Sequence, residues 1–253
     1  MSRTAWRMAL GACIALGACG RTSLSEEDGA FYRWDDRSVH CAAEIDDSDQ
    51  ISMESITAGL DRAQREHSVL ELLVHRPGES MSRPNFERLL DEVTARGLPF
   101  LTVKDMLAAP AGAGVALMFD DAYPDVWLGV EDLLQTHDAH VTLYITWYTR
   151  LQQTQRDQIR QLADAGHDIE AHSVNHVRGS DYVEGHGLDA YLHDEVIPSF
   201  EVLRADGYDP VSYAYPFGMR TDEIDRAILD SGYARTVRAL VQPNPVREAT
   251  CPF

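Results

Sequence analysis

Apolar and polar positions along this chain alternate between two periods after residue 60. Short runs rich in apolar and β-branched residues read as strands: Val69 to Val74, Pro99 to Val103, Val115 to Phe119, His140 to Thr146, Asp168 to His172, Val211 to Tyr215 and Ala234 to Leu240. Between them the apolar spacing becomes helical. Phe86, Leu89, Leu90 and Val93 share one face of a helix expected over Asn85 to Ala95, with Gly97 as its stop. Further helices are expected over Val126 to Leu134, over Gln155 to Ala165 ending at Gly166, over Leu188 to Ala205 with a break at Pro198, and over Thr221 to Asp230. Strands and helices in this alternation predict a parallel sheet or barrel. Seven strands, one short of the common eight, predict an incomplete (β/α)7 barrel of the α/β class.

The amino terminus follows another pattern. Arg3 and Arg7 precede an apolar run from Met8 to Leu16, too short to span a bilayer and followed by small residues, as in a secretory leader. The run ends in Leu16-Gly17-Ala18-Cys19, which resembles the bacterial lipoprotein signal and implies cleavage before a lipidated Cys19. Using the earlier Cys13 would leave an apolar segment shorter than the usual ~7 residues. An ordinary secreted protein cut near Ala18 is the alternative. Arg21 to Gly29 is polar and reads as a tether. The expected division is therefore a leader over 1–18, a tether and amino-terminal extension over 19–60, and one domain over 61–253. With Gly20 after the cysteine, the expected destination is the outer membrane, facing the periplasm. No second apolar segment reaches membrane length, so contact with the membrane is expected only through the lipid.

Composition narrows the partners. The net charge is −19, and loss of Arg3 and Arg7 with the leader lowers it to −21. Such a surface excludes nucleic acid and anionic membranes as docking partners and leaves neutral or cationic substrates. Nothing in the sequence sets the oligomeric state. After lipidation and removal of the leader, Cys41 and Cys251 remain. In an oxidising compartment they either pair, tying the two ends of the domain together, or stay as buried thiols.

Polar clusters fall at the carboxyl ends of the strands, where barrel active sites lie. Val115–Phe119 runs into Asp120-Asp121. Asp168–His172 runs into His172-Ser173-Val174-Asn175-His176, whose two imidazoles share a face if the segment turns helically. Val211–Tyr215 runs into Tyr215-Pro216-Phe217-Gly218, a rigid turn whose main-chain N–H groups could face a ligand. Taken singly, each has a plain structural explanation as a loop or turn.

In order and spacing these segments resemble the polysaccharide deacetylases, the NodB-homology family (carbohydrate esterase family four). Phe119-Asp120-Asp121 is similar to that family's first motif, and His172 to His176, led in by Ala165-Gly166-His167-Asp168-Ile169, to its second. Ala214-Tyr215-Pro216-Phe217-Gly218 is similar to its third, and the likeness spans roughly residues 68 to 240. The resemblance implies a distorted seven-stranded barrel and one divalent metal held by Asp121, His172 and His176. Zinc is expected, with cobalt, nickel or manganese as alternatives. It also implies Asp120 as general base and the Phe217 N–H as an oxyanion donor. The expected reaction is hydrolysis of N-acetyl groups on a glycan, N-acetylglucosamine polymers first, with release of acetate.

Three departures from the family pattern matter. Ala122 stands where the first motif continues with Gly. Ala214 stands where the third motif often has an arginine bracing the catalytic aspartate, and Arg238 on the last strand could replace it. No histidine follows His193, although the family's last motif supplies one as general acid. His75, ending Val69–Val74, is the candidate, in the manner of the circularly permuted exopolysaccharide deacetylases. Other histidines lie before the first expected strand, at the wrong end of the barrel or in long connections. Two alternatives stay open: a catalytically silent glycan-binding lipoprotein, and an esterase or amidase acting on another acyl group.

Overall fold

A computed structural model of the chain describes residues 23–47, 51–241 and 251. Cys19 and the leader lie outside these residues. Seven parallel strands form the frame: β1 (Val39–Glu44), β2 (Val69–Val74), β3 (Gly114–Asp121), β4 (Thr142–Ile145), β5 (Asp168–Ala171), β6 (Ser212–Ala214) and β7 (Thr236–Leu240). Each pairs with the next in sequence, and β7 pairs with β1 through Val237↔Val39 to Leu240↔Ala42, so the ring closes. The seven-stranded barrel expected from the pattern is thus present, with one strand exchanged. Pro99–Val103 contributes a single bridge, Phe100 to Val115, before the helix Val103–Ala108 begins. The seventh strand is β1, upstream of the expected domain start at residue 61, so the folded unit reaches further back than the sequence pattern suggested.

The expected tether also packs. Leu24 is fully buried, and its N–H donates to Ser55 Oγ on helix α1 (Met53–Glu66). Cys41 on β1 and Cys251 form a disulfide that holds the chain end against the ring.

Alternation along the strands divides the interior in two. On β3, Val115, Leu117 and Phe119 join the large core beneath the helices, while Ala116 and Met118 join a small core inside the ring. The helix Val103–Ala108 closes the amino-terminal end: Val103 N–H donates to Thr142 Oγ1 at 2.9 Å and Lys104 N–H to Asp168 Oδ2 at 3.0 Å. Leu101 and Met106 plug the small core there. The carboxyl end is left to polar side chains. Among the described residues no helix is long and apolar enough to cross a membrane.

Candidate metal-binding active site

Adjacent strand residues normally face opposite sides of a sheet, yet Asp120 and Asp121 reach one space. Asp120 continues the inward alternation of Ala116 and Met118. Asp121 has φ 85°, a left-handed backbone rare outside glycine, and this turns its carboxylate back toward the same end of the barrel. Both then lie 3.7 Å from His172 Nε2, through Asp120 Oδ2 and Asp121 Oδ1.

His172 follows β5 and is almost fully buried. Its Nδ1–H donates to the Ala214 carbonyl at 2.9 Å, which leaves the lone pair on Nε2 facing the aspartates. Burial pushes its imidazole down to about 4, so the ring is neutral at ordinary pH. His176 Nε2 lies 3.1 Å from Asp121 Oδ1. Burial alone would raise the Asp121 carboxyl, but the His176 imidazole beside it and, after that, the neighbouring His172 ring hold it at about 2.

The His172–His176 segment is not helical. It is a tight turn with Ser173 at φ 64° and His176 at φ 57°, held from behind by one buried carboxylate. Glu195 Oε2 accepts from Ser173 Oγ at 2.9 Å and Asn175 N–H at 2.8 Å, and Oε1 from Asn175 Nδ2 at 2.7 Å. Ser173 Oγ in turn accepts the His176 N–H at 2.9 Å. Glu195 sits in a π-helical turn, Leu192–Val196, just ahead of Pro198, whose missing N–H removes a regular helical bond.

Arg238 takes the bracing place. It is buried on β7, its Nη2 donates to both Asp120 oxygens, and its guanidinium lies 4.9 Å from the Tyr144 ring centre. His75 follows β2 as expected, at the same end of the ring. Its Nδ1–H donates to Asp46 Oδ2 at 2.7 Å and its N–H to Oδ1 at 3.3 Å. Burial opposes charge on His75, but the bond to Asp46 and the charges of Asp120, Asp46 and Glu44 raise it to about 9.

The third segment needs correction. Of Tyr215, Pro216, Phe217 and Gly218, only Phe217 is exposed, at 36%. The Tyr215 side chain points into the helix layer, where its hydroxyl donates to Asp225 Oδ1 at 2.7 Å, so it anchors the turn and cannot touch a substrate. Gly218 has φ 68°, and a Cβ there would meet Leu240 Cγ at 2.4 Å, so glycine is required. Phe217, at φ 61°, packs on His176 with ring centres 4.8 Å apart.

Sequence reasoning missed Asp46, Ser80 and Glu195. Ser80 Oγ donates to Asp46 Oδ1. Asp46 lies just past β1, and an unrecognised strand hides the polar residues at its end. His40, expected from the sequence to precede the first core strand, instead lies on β1 inside the ring, its Nδ1 3.0 Å from Glu71 Oε1.

Asp121 Oδ1, His172 Nε2 and His176 Nε2 all lie within 4.8 Å of one another. Asp121 Oδ1 is buried with no hydrogen-bond donor aligned on it. A buried carboxylate oxygen left without a donor, with two imidazole nitrogens turned toward it, fits a divalent metal. The polysaccharide deacetylase family profile matches residues 108–236, half of the sequence and all three motif segments. The chain belongs to the polysaccharide deacetylase family. Among solved structures, this deacetylase is similar to IcaB from Ammonifex degensii, at 19% identity and a TM-score of 0.59 over 73% of this chain and 88% of that one. It is similar to the deacetylase PplD of Streptococcus pyogenes, in complex with acetate, at 19% identity and 0.51 over 68% and 90%. It also resembles a de-N-acetylase from Aggregatibacter actinomycetemcomitans, at 14% identity and 0.50 over 73% and 95%. At these identities the likeness speaks to the fold. No curated protein matches.

Proposed function

We propose that this deacetylase removes N-acetyl groups from a glycan, N-acetylglucosamine-containing polymers above all, in a metal-dependent reaction that releases acetate. The observation that carries this is the convergence of Asp121, His172 and His176 around a buried, donor-less carboxylate oxygen. These three residues would hold one divalent ion, zinc by its donor set of two imidazoles and one carboxylate. When bound, such an ion supplies Lewis acidity toward the acetyl oxygen and lowers the pKa of water.

The remaining steps belong to the chain. Asp120, fixed by Arg238, accepts the proton of the attacking water. The Phe217 N–H, in the turn where Phe217 has φ 61°, donates to the oxygen that becomes negative. His75, charged because of Asp46, gives its Nε2 proton to the departing amine, which as an unprotonated amide nitrogen leaves poorly. Arg238 supplies the brace that Ala214 cannot, which supports an enzyme over a silent binder.

Cys19 lipidation, with the site on the periplasmic side of the outer membrane, belongs to the same proposal and rests on the leader sequence. The test is metal analysis of purified protein together with acetate release from a panel of N-acetylated and O-acetylated glycans. Release from N-acetylated polymers that chelation abolishes and zinc restores is expected. Release from O-acetylated substrates alone would replace the amidase reading with an esterase.

A further inference from the structure

Across the site from the first triad, a second set of donors converges. Glu44 closes β1, Asp46 lies two residues on, and His75 follows the neighbouring strand β2, where Glu44 is in register with Leu73. Glu44 Oε1 and Asp46 Oδ2 lie 3.5 and 2.7 Å from His75 Nδ1, and the three ligand atoms all fall within 4.8 Å of one another. The ligand atoms of the first triad fall within the same limit. A tetrahedral ion with bonds near 2.0–2.2 Å sets its ligands about 3.4 Å apart, so small side-chain shifts suffice.

The Asp46 carboxylate is already oriented as a ligand would be. Its Oδ1 accepts from Ser80 Oγ and the His75 N–H, which turns Oδ2 toward the imidazole. Partners that pin one oxygen and aim the other are what orient ligands in metal sites. Two carboxylates and an imidazole suit zinc and its neighbours.

We infer that Glu44, Asp46 and His75 form a second, weaker site for a divalent cation, and that its occupation inhibits the deacetylase. The inference rests on the reading of His75 as general acid. A proton and a cation compete for the same nitrogen. When the cation binds, the Nδ1 proton leaves to solvent, and the ring becomes neutral with its one remaining proton on Nε2. A neutral imidazole holds that proton far more tightly than an imidazolium does, so the departing amine goes unprotonated. The first triad fills first, because His172 Nε2 carries no proton to displace.

The experiment titrates metal-free full-length protein with Zn²⁺, reading bound metal by equilibrium dialysis and proton release by indicator dye, with acetate release in parallel. Wild-type protein should take two ions, the second at least tenfold weaker, and acetate release should fall as the second binds. Asp121→Ala should keep only the weak ion. Glu44→Gln should keep the tight ion, weaken the second at least tenfold, and make its acetate release resistant to excess zinc. The stoichiometry is readable even if no glycan is hydrolysed, so its failure is separable from failure of the deacetylase proposal. A single ion in wild-type protein, or a second ion that Glu44→Gln leaves unchanged, would overturn the inference.

Discussion

Asp120 and Asp121 are neighbours whose surroundings divide their tasks. Asp121 presents a donor-less oxygen to two imidazoles, while both oxygens of Asp120 are taken up by Arg238. Asp120→Asn should therefore keep its metal, as atomic absorption would show, and lose about 10²–10⁴ in kcat. It should also melt lower, because removing one partner of a buried pair costs roughly 3–5 kcal/mol. Loss of metal from this variant would exchange the roles of the two aspartates. His75 sets a second expectation. As general acid it must be protonated, so activity falls as pH rises through its raised pKa of about 9. Asp46→Asn removes the charge and weakens the bond that raise it, and the alkaline limb of the kcat profile should move to lower pH. An unmoved limb would assign that limb to another group. Asp120, Asp121, His172 and His176 were legible in sequence because short motifs at strand ends carry them. Asp46 was not, since nothing local links it to His75.

Elements were legible where burial is local. β2 lies at its expected bounds, and β3 and the helix Arg83–Ala95 within two residues of theirs, because their apolar residues recur at the period of the element. β1 was not, because His40-Cys41-Ala42-Ala43 has no β-branched run and its burial is imposed by closure against β7. The expected helix Val126 to Leu134 is two short helices, Pro124–Leu128 and Glu131–Thr136, interrupted at Gly129. The His-x-x-x-His pair was expected to converge by helical spacing and instead converges by a turn that Glu195 holds. The shape of that turn therefore resides in a helix some twenty residues downstream. Glu195→Gln keeps the volume but replaces one accepting oxygen with an amide that faces donors, a mismatch worth about 1–3 kcal/mol. Loosening the support of a ligand typically costs about 10–100-fold in metal affinity. Calorimetric titration of Glu195→Gln should show that loss, with kcat at saturating metal much less affected. Wild-type affinity would mean that the turn holds itself.

At the scale of the whole molecule, closure explains how the general acid proposed at His75 can come from an early strand. Each strand pairs with the next and the last with the first, so a ring has no privileged starting strand. A histidine at the end of β2 can serve a site that other members fill from a late strand, and the sequence order hides this while the ring preserves it. The same closure brings Arg238 on β7 to Asp120 on β3 across the interior. The amino terminus gains meaning from the packing of Leu24. If Cys19 carries lipid, as proposed, only five residue steps separate the anchor from a side chain buried against α1. Fully extended, they reach roughly 18 Å. The deacetylase would then work close against the membrane and act on polymer that passes near it, not on glycan deep in the periplasm. Because one acyl chain gives only marginal binding and several give stable anchoring, Cys19→Ser should either release the protein into the soluble periplasmic fraction or leave its leader uncleaved. The purified, processed variant should match wild-type acetate release on soluble oligomers, since Cys19 lies outside the site. Membrane fractionation identical to wild type, with normal processing, would remove the anchor and the confinement that follows from it.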